Sequence, residues 1–199
     1  RLTGRVLRVG PNDEFEKFHE AITASQSGDT ILLADGEHTI SQSMYQRLRL
    51  QPITDIQFVG SGADKCSLVG TRLIDAAMRV RLRGLTLDGK NNESLDLRSE
   101  SAIQLVDCVV TNYNSGAGGS IGIASSRETT WLLLRTTFQG GPGRASGRGR
   151  GGNAFRLDGS AMTYVRQCQF IDNEEISRSS GDIETYDGCV ELNSLPNAS

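Results

Sequence analysis

The stretch "MRVRLRGLTLDG", Met78 to Gly89, changes its inward parity in mid-course. Val80 and Leu82 alternate with Arg79, Arg81 and Arg83, but after Gly84 the apolar positions become Leu85 and Leu87. Alternation at period two marks a strand with one face on a core. A switch of parity across a single residue marks a corner, with both arms still pointing inward.

The pattern recurs. "LRGLTLDG" (82–89) aligns with "LVDCVVTN" (105–112), "LLRTTFQG" (133–140) and "VRQCQFID" (165–172). Two inward columns precede the corner: Val80, Ile103, Trp131, Thr163 and Leu82, Leu105, Leu133, Val165. Two follow it: Leu85, Cys108, Thr136, Cys168 and Leu87, Val110, Phe138, Phe170. The corner column reads Gly84, Asp107, Arg135, Gln167, residues suited to a bend that faces water. A second set of short strands accompanies each unit: "RLID" (72–75), "SLDLRS" (94–99), "SIGIAS" (120–125), "AFRLDG" (154–159) and "CVELNS" (189–194). No helical period lies between them. Three short strands per repeat, with like residues in register, predict a coil whose turns stack about 4.8 Å apart around a narrow core. A sandwich or barrel is the alternative for short strands at regular intervals; the register of four columns across four repeats favours the coil.

A coil exposes sheet edges at its ends, which need cover. "NDEFEKFHEAITASQSGD" reads as an amphipathic capping helix over about 13–27, with Asp13 and Glu16 as its capping box, Phe15, Phe18 and Ile22 on one face and Gly28 as its stop. His19 reads as a residue on the rim of that face. The coils then run over about 28–194, making residues 1–199 a single domain. The chain opens on Arg1 rather than methionine and shows no second cap, so a processed chain or a piece of a longer polypeptide with further domains is expected.

Composition fits a soluble globular domain, with 37% hydrophobic and 23% charged residues. The formal net charge of −3 favours neither nucleic acid nor an anionic membrane. No apolar run approaches the roughly 20 residues that span a bilayer. Four widely spaced cysteines, no Cys-x-x-Cys pair and two histidines argue against a zinc site of the usual kind.

"GDTILLADGEHTI" (28–40), "IQFVGSGADKCSLVG" (56–70) and "MRVRLRGLTLDG" resemble successive coils of the right-handed parallel β-helix superfamily typified by pectate lyase. The resemblance implies an all-β, right-handed parallel β-helix of three-stranded coils behind an N-terminal amphipathic capping helix. It is poor for function, because the superfamily spans polysaccharide lyases, glycoside hydrolases, esterases, phage tail proteins and modules without chemistry. The Arg-x-Pro-x-x-Arg pattern of pectate lyases is absent here, and no Asp-Asp pair of the polygalacturonase kind occurs.

In a coil, strands are scaffold and loops carry function. Four segments follow the last strand of successive repeats: "GKNNE" (89–93), "NYNSGAGG" (112–119), "GGPGRASGRGRGG" (140–152) and "DNEEISRSSGDIETYDG" (172–188). Stacked turns would place them along one flank. The third holds Arg144, Arg148 and Arg150; the fourth holds Asp172, Glu174, Glu175, Asp182, Glu184 and Asp187. Carboxylates of this kind hold Ca²⁺ through oxygen, which makes Asp172, Glu174, Glu175 and Asp182 the candidate metal ligands. A cation and arginines together would neutralise a uronate and acidify its α-proton. Arg144 and Arg148 are then candidate substrate-binding cations, with Tyr113 and Tyr186 on the same flank to stack on sugar rings. Arg150 is the candidate base; arginine is a demanding base with a pKa above about 12, though lyases of the resembled superfamily use one. The plain alternative is opposite charges pairing across water, at about 0–1 kcal/mol per exposed pair.

"GRASGRGRGG" is similar to Arg-Gly-Gly segments that bind RNA. It is short, lacks an aromatic residue and neighbours an acidic segment, so nucleic acid is not an expected partner. The cysteines read as core; Cys108 and Cys168 lie two coil steps apart, about 10 Å, too far for a disulfide. The leading expectation is a carbohydrate-interacting module that binds an acidic or neutral glycan on the flank of its long loops, extracellular or at the cell surface. The alternatives are a calcium-assisted polysaccharide lyase working by β-elimination and a non-catalytic repeat segment of a larger surface protein.

Overall fold

The computed structural model describes residues 4–39, 55–70, 72–76, 79–92, 94–99, 102–113, 121–125, 130–139, 153–157, 163–171, 177–179, 183–187 and 189–192. These form one helix and three sheets of eight, seven and five strands. Every ladder within the sheets is parallel.

From Arg72 onward the chain visits the sheets in rotation. Arg72–Ala76 lies in the five-stranded sheet, Arg79–Arg83 in the eight-stranded and Thr86–Asn92 in the seven-stranded. Ser94–Ser99, Ala102–Val106 and Val109–Tyr113 repeat the order, as do Ile121–Ser125, Thr130–Leu134 and Thr137–Gln139. The all-β arrangement is compatible with a parallel β-solenoid.

The four columns are in register as read. Val80, Ile103, Trp131 and Thr163 pair in sequence, and so do Leu82, Leu105, Leu133 and Val165. Upstream, Phe58, Ile31 and Leu7 extend the second column. Leu87, Val110, Phe138 and Phe170 form a third ladder. All are almost wholly buried in one core. Each large apolar side chain removed from water contributes about 1.5–3 kcal/mol. The rings of Phe138 and Phe170 stack with centroids 5.4 Å apart.

The corner column has one conformation. Gly84, Asp107, Arg135 and Gln167 have φ of 61°, 55°, 47° and 53°. This left-handed turn swings the chain from one sheet to the next within one residue, which is why the parity switches. The corner amides are satisfied by the following turn: Gly84 N–H donates to Val106 O, Asp107 N–H to Leu134 O and Arg135 N–H to Arg166 O, at 3.1, 3.1 and 3.0 Å. The residue after the corner serves its other side. Cys108 Sγ donates to Val106 O, Thr136 Oγ1 to Leu134 O and Cys168 Sγ to Arg166 O, each two residues back. Small hydrogen-bonding side chains therefore recur in an otherwise apolar column.

Three expectations need correction. The helix is Phe18–Ala24, and the side chain that caps its start is Glu20, which accepts from Lys17 N–H at 3.1 Å. Asp13 and Glu16 precede it, and Phe15 sits in a bridge to Val9 instead. The helix ends at Ser25, before Gly28. Its buried Phe18 meets Phe58 edge-on with centroids 5.7 Å apart, so the capping face does pack on the core. Second, Val190–Leu192 pairs with Gln169–Ile171 in the seven-stranded sheet; the fifth strand of the five-stranded sheet is Ser177–Ser179. Third, 172–188 is not one loop, because it contains Ser177–Ser179 and Ile183–Asp187. Ladder hydrogen bonds come from backbone, so an acidic stretch with little apolar alternation can still add a turn.

Candidate functional site

The segments 93, 114–120, 140–152 and 172–176 each follow a strand of the seven-stranded sheet and precede a strand of the five-stranded sheet. Arg144, Arg148, Arg150, Asp172, Glu174, Glu175 and Asp182 lie outside the described residues. The two tyrosines do not share a flank. Tyr113 ends a strand of the seven-stranded sheet, whereas Tyr186 pairs with Val165 inside the eight-stranded sheet. Among the described residues, no group of three or more His, Cys, Asp or Glu is placed to hold a metal ion.

The described surface with most chemistry is the outer face of the eight-stranded sheet. Because Val80 and Leu82 point inward, Arg79, Arg81 and Arg83 project outward from one central strand. Arg83 continues across the sheet as a row: Arg8, Leu32, Val59, Arg83, Val106, Leu134, Arg166. The adjacent row holds Gln57, Arg81, Gln104, Leu132 and Tyr164. Parallel pairing spaces the members of a row by about 4.8 Å. The apolar members are half-buried, and Arg8, Arg79, Arg83 and Arg166 are exposed.

Two carboxylates temper this charge. Arg81 lies 3.8 Å from Asp55 and Arg83 lies 3.9 Å from Asp107. Asp107 takes a closer pair from Arg135, whose hydrogen bonds and charge lower the carboxyl pKa. At the N-terminal end of the same face an open depression of about 220 Å³ is lined by Arg8, Asp13, Leu32–Ala34 and Val59–Ser61. Ser61 Oγ donates to Asp35 beside it. A guanidinium offers a planar fork of donors that matches a carboxylate or sulfate, and half-buried Leu and Tyr side chains offer apolar contact. Together they form an outer face that combines exposed guanidiniums with half-buried apolar side chains. The alternating arginines were legible as a strand pattern; their continuation into Arg8 and Arg166 was not, because those residues are neighbours only through the register.

The buried thiols are held mostly protonated and are not activated as catalytic nucleophiles. Burial is the main cause that raises Cys66, Cys108 and Cys168 to about 11, which leaves little thiolate near neutrality. His19 is exposed on the helix, and His38 Nε2 lies 2.9 Å from Ala34 O.

No protein-family model matches the chain, and no curated protein matches its sequence. Among the described residues no helix is long and apolar enough to cross a membrane.

Proposed function

We propose that this chain is a right-handed parallel β-helix, similar to the pectate-lyase superfamily, that acts as a carbohydrate-interacting module for an acidic glycan. The observation that carries the reading is the outward file of Arg79, Arg81 and Arg83 along one strand, with the half-buried Leu132 and Leu134 two strands and Tyr164 three strands further along the same face. Guanidiniums spaced along a rigid strand suit the repeating carboxylates of a polyuronate, and the apolar rows suit the faces of its sugar rings. Arg144, Arg148 and Arg150 as further cations, and Ca²⁺ on the acidic residues Asp172, Glu174, Glu175 and Asp182, belong to the lyase form of the proposal.

Affinity electrophoresis in gels containing polygalacturonate or a neutral glucan tests the reading. Retardation in the polyuronate gel alone is expected, weakening with salt and lost in Arg79→Ala/Arg83→Ala. Equal mobility in both gels would overturn it. Incubation with polygalacturonate and Ca²⁺ separates binding from cleavage, since β-elimination leaves an unsaturated, ultraviolet-absorbing product.

A further inference from the structure

The column after the corner ends in two cysteines on neighbouring turns. Thr137 pairs with Gln169, and Gln169 with Val190. Thr136, Cys168 and Cys189, each one residue earlier, therefore stand one above another. Cys168 is wholly buried, whereas Cys189 is only partly buried against the same core. Their sulfurs point to the same corner: Cys168 Sγ donates to Arg166 O at 3.4 Å, and Cys189 Sγ to Val165 O at 3.8 Å. Burial raises the Cys168 pKa most, and the neighbouring Cys189 raises it further. The four cysteines are unbridged.

The geometry points to Cys168 and Cys189 as a site of oxidative cross-linking, where a small-molecule disulfide converts the stacked thiols into a disulfide that staples the last two turns. Residues in register on adjacent strands lie about 4.8 Å apart at Cα, inside the roughly 4.4–6.8 Å window of disulfides. The Cβ atoms must close to about 4.5 Å or less, a small movement at a corner position just outside the ladder. Cys66 and Cys108 have no such neighbour, because Leu85 lies between them and Thr136 separates Cys108 from Cys168.

The exchange begins at Cys189, which is the reachable sulfur. Its thiolate attacks one sulfur of oxidised glutathione, forming a mixed disulfide and releasing one glutathione thiolate. The Cys168 thiolate then attacks the Cys189 sulfur, forming the internal disulfide and releasing the second. Two protein thiols lose two protons and two electrons, and one oxidised glutathione becomes two reduced glutathiones. Burial of Cys168 holds its pKa up at about 11, so the second step is the slow one.

The test incubates the folded chain with oxidised glutathione, titrates thiols after unfolding and maps peptides without reduction. The expected result is a loss of two titratable thiols of the four, a peptide linking Cys168 to Cys189 and a mass lower by two hydrogens. Oxidised protein should also melt at a higher temperature than reduced protein. In Cys168→Ala the glutathione adduct on Cys189 should accumulate instead. A stable adduct on Cys189 in the wild-type chain, no reaction at all, or a link involving Cys66 or Cys108 would overturn the proposal.

Discussion

Asp107 and Arg135 occupy the same left-handed corner on successive turns and grip each other through two hydrogen bonds, Nε to Oδ1 at 2.5 Å and Nη2 to Oδ2 at 3.0 Å. Two residues that accept an unfavourable backbone conformation are thus paired fork to fork across the stack. The pair lies on the outside, with the Asp107 side chain 37% and the Arg135 side chain 47% exposed, so water screens it.

The hydrogen bonds and charge of Arg135 hold the Asp107 carboxyl below its usual range. A depressed folded pKa gives stability that is present above the unfolded value, about 3.9, and is lost as pH falls through the folded value. Urea midpoints of wild type and Asp107→Asn should therefore differ at pH 7 and converge in acid, by less than about 1 kcal/mol throughout. Asn keeps the left-handed preference, so a difference that persists at low pH would mean that the corner, not the charge, is being measured.

Gly60 and Gly84 face each other at the first corner. Gly84 has φ of 61°, but a Cβ there would come no closer than 3.2 Å to Gly60 O. A Cβ on Gly60 would meet Gly84 O at 2.5 Å and Cys66 Sγ at 3.0 Å. Gly84→Ala should cost about 1–2 kcal/mol from the backbone conformation, and Gly60→Ala more, because backbone must move. Denaturant unfolding of the two variants checks the order; the reverse order would refute the close approach.

Thr163 continues the column of Val80, Ile103 and Trp131, and its buried hydroxyl has no hydrogen-bond partner among the described residues. Thr163→Val keeps the shape and removes the orphan polar group, so stability should rise by roughly 1–3 kcal/mol. A fall in the urea midpoint would reveal that the hydroxyl is bonded after all.

Asp29 ties the first strand to the turn after the helix. Its buried carboxylate accepts from Arg5 N–H, Arg5 Nη2 and Gln26 N–H, each at 2.8 Å. Burial raises its pKa, but the hydrogen bonds from Arg5 and Gln26 outweigh that and lower it. Asp29→Ala should lose about 1.5–3 kcal/mol near neutrality, with loosening first seen in amide exchange of Val6–Val9. The wild-type contribution fades as acid protonates the carboxylate.

The parity switch at Gly84 was readable because local sterics cause it: one left-handed residue rotates the next strand by a face, and the residues around it must then be apolar on the new parity. The columns of Leu82 and Leu87 were readable for the same reason, since like residues recur where the interior demands them. The start of the helix was not, because Glu20 is one of several acids that fit a cap and only the bridge of Phe15 to Val9 delays the first turn. Nor were the strands at Ser177–Ser179 and Ile183–Asp187, which pair through backbone and carry few apolar residues.

By itself the sequence determined the corner, the inward columns and the stacking direction of its parallel turns, all consequences of steric and hydrophobic periodicity within a few residues. Tertiary structure alone decided which distant residues became neighbours: Arg8 with Arg83 and Arg166 along one outer row, Tyr113 apart from Tyr186, and Cys189 above Cys168. Those relationships depend on how many residues each turn spends between strands, and segment length leaves no periodic mark on side-chain chemistry.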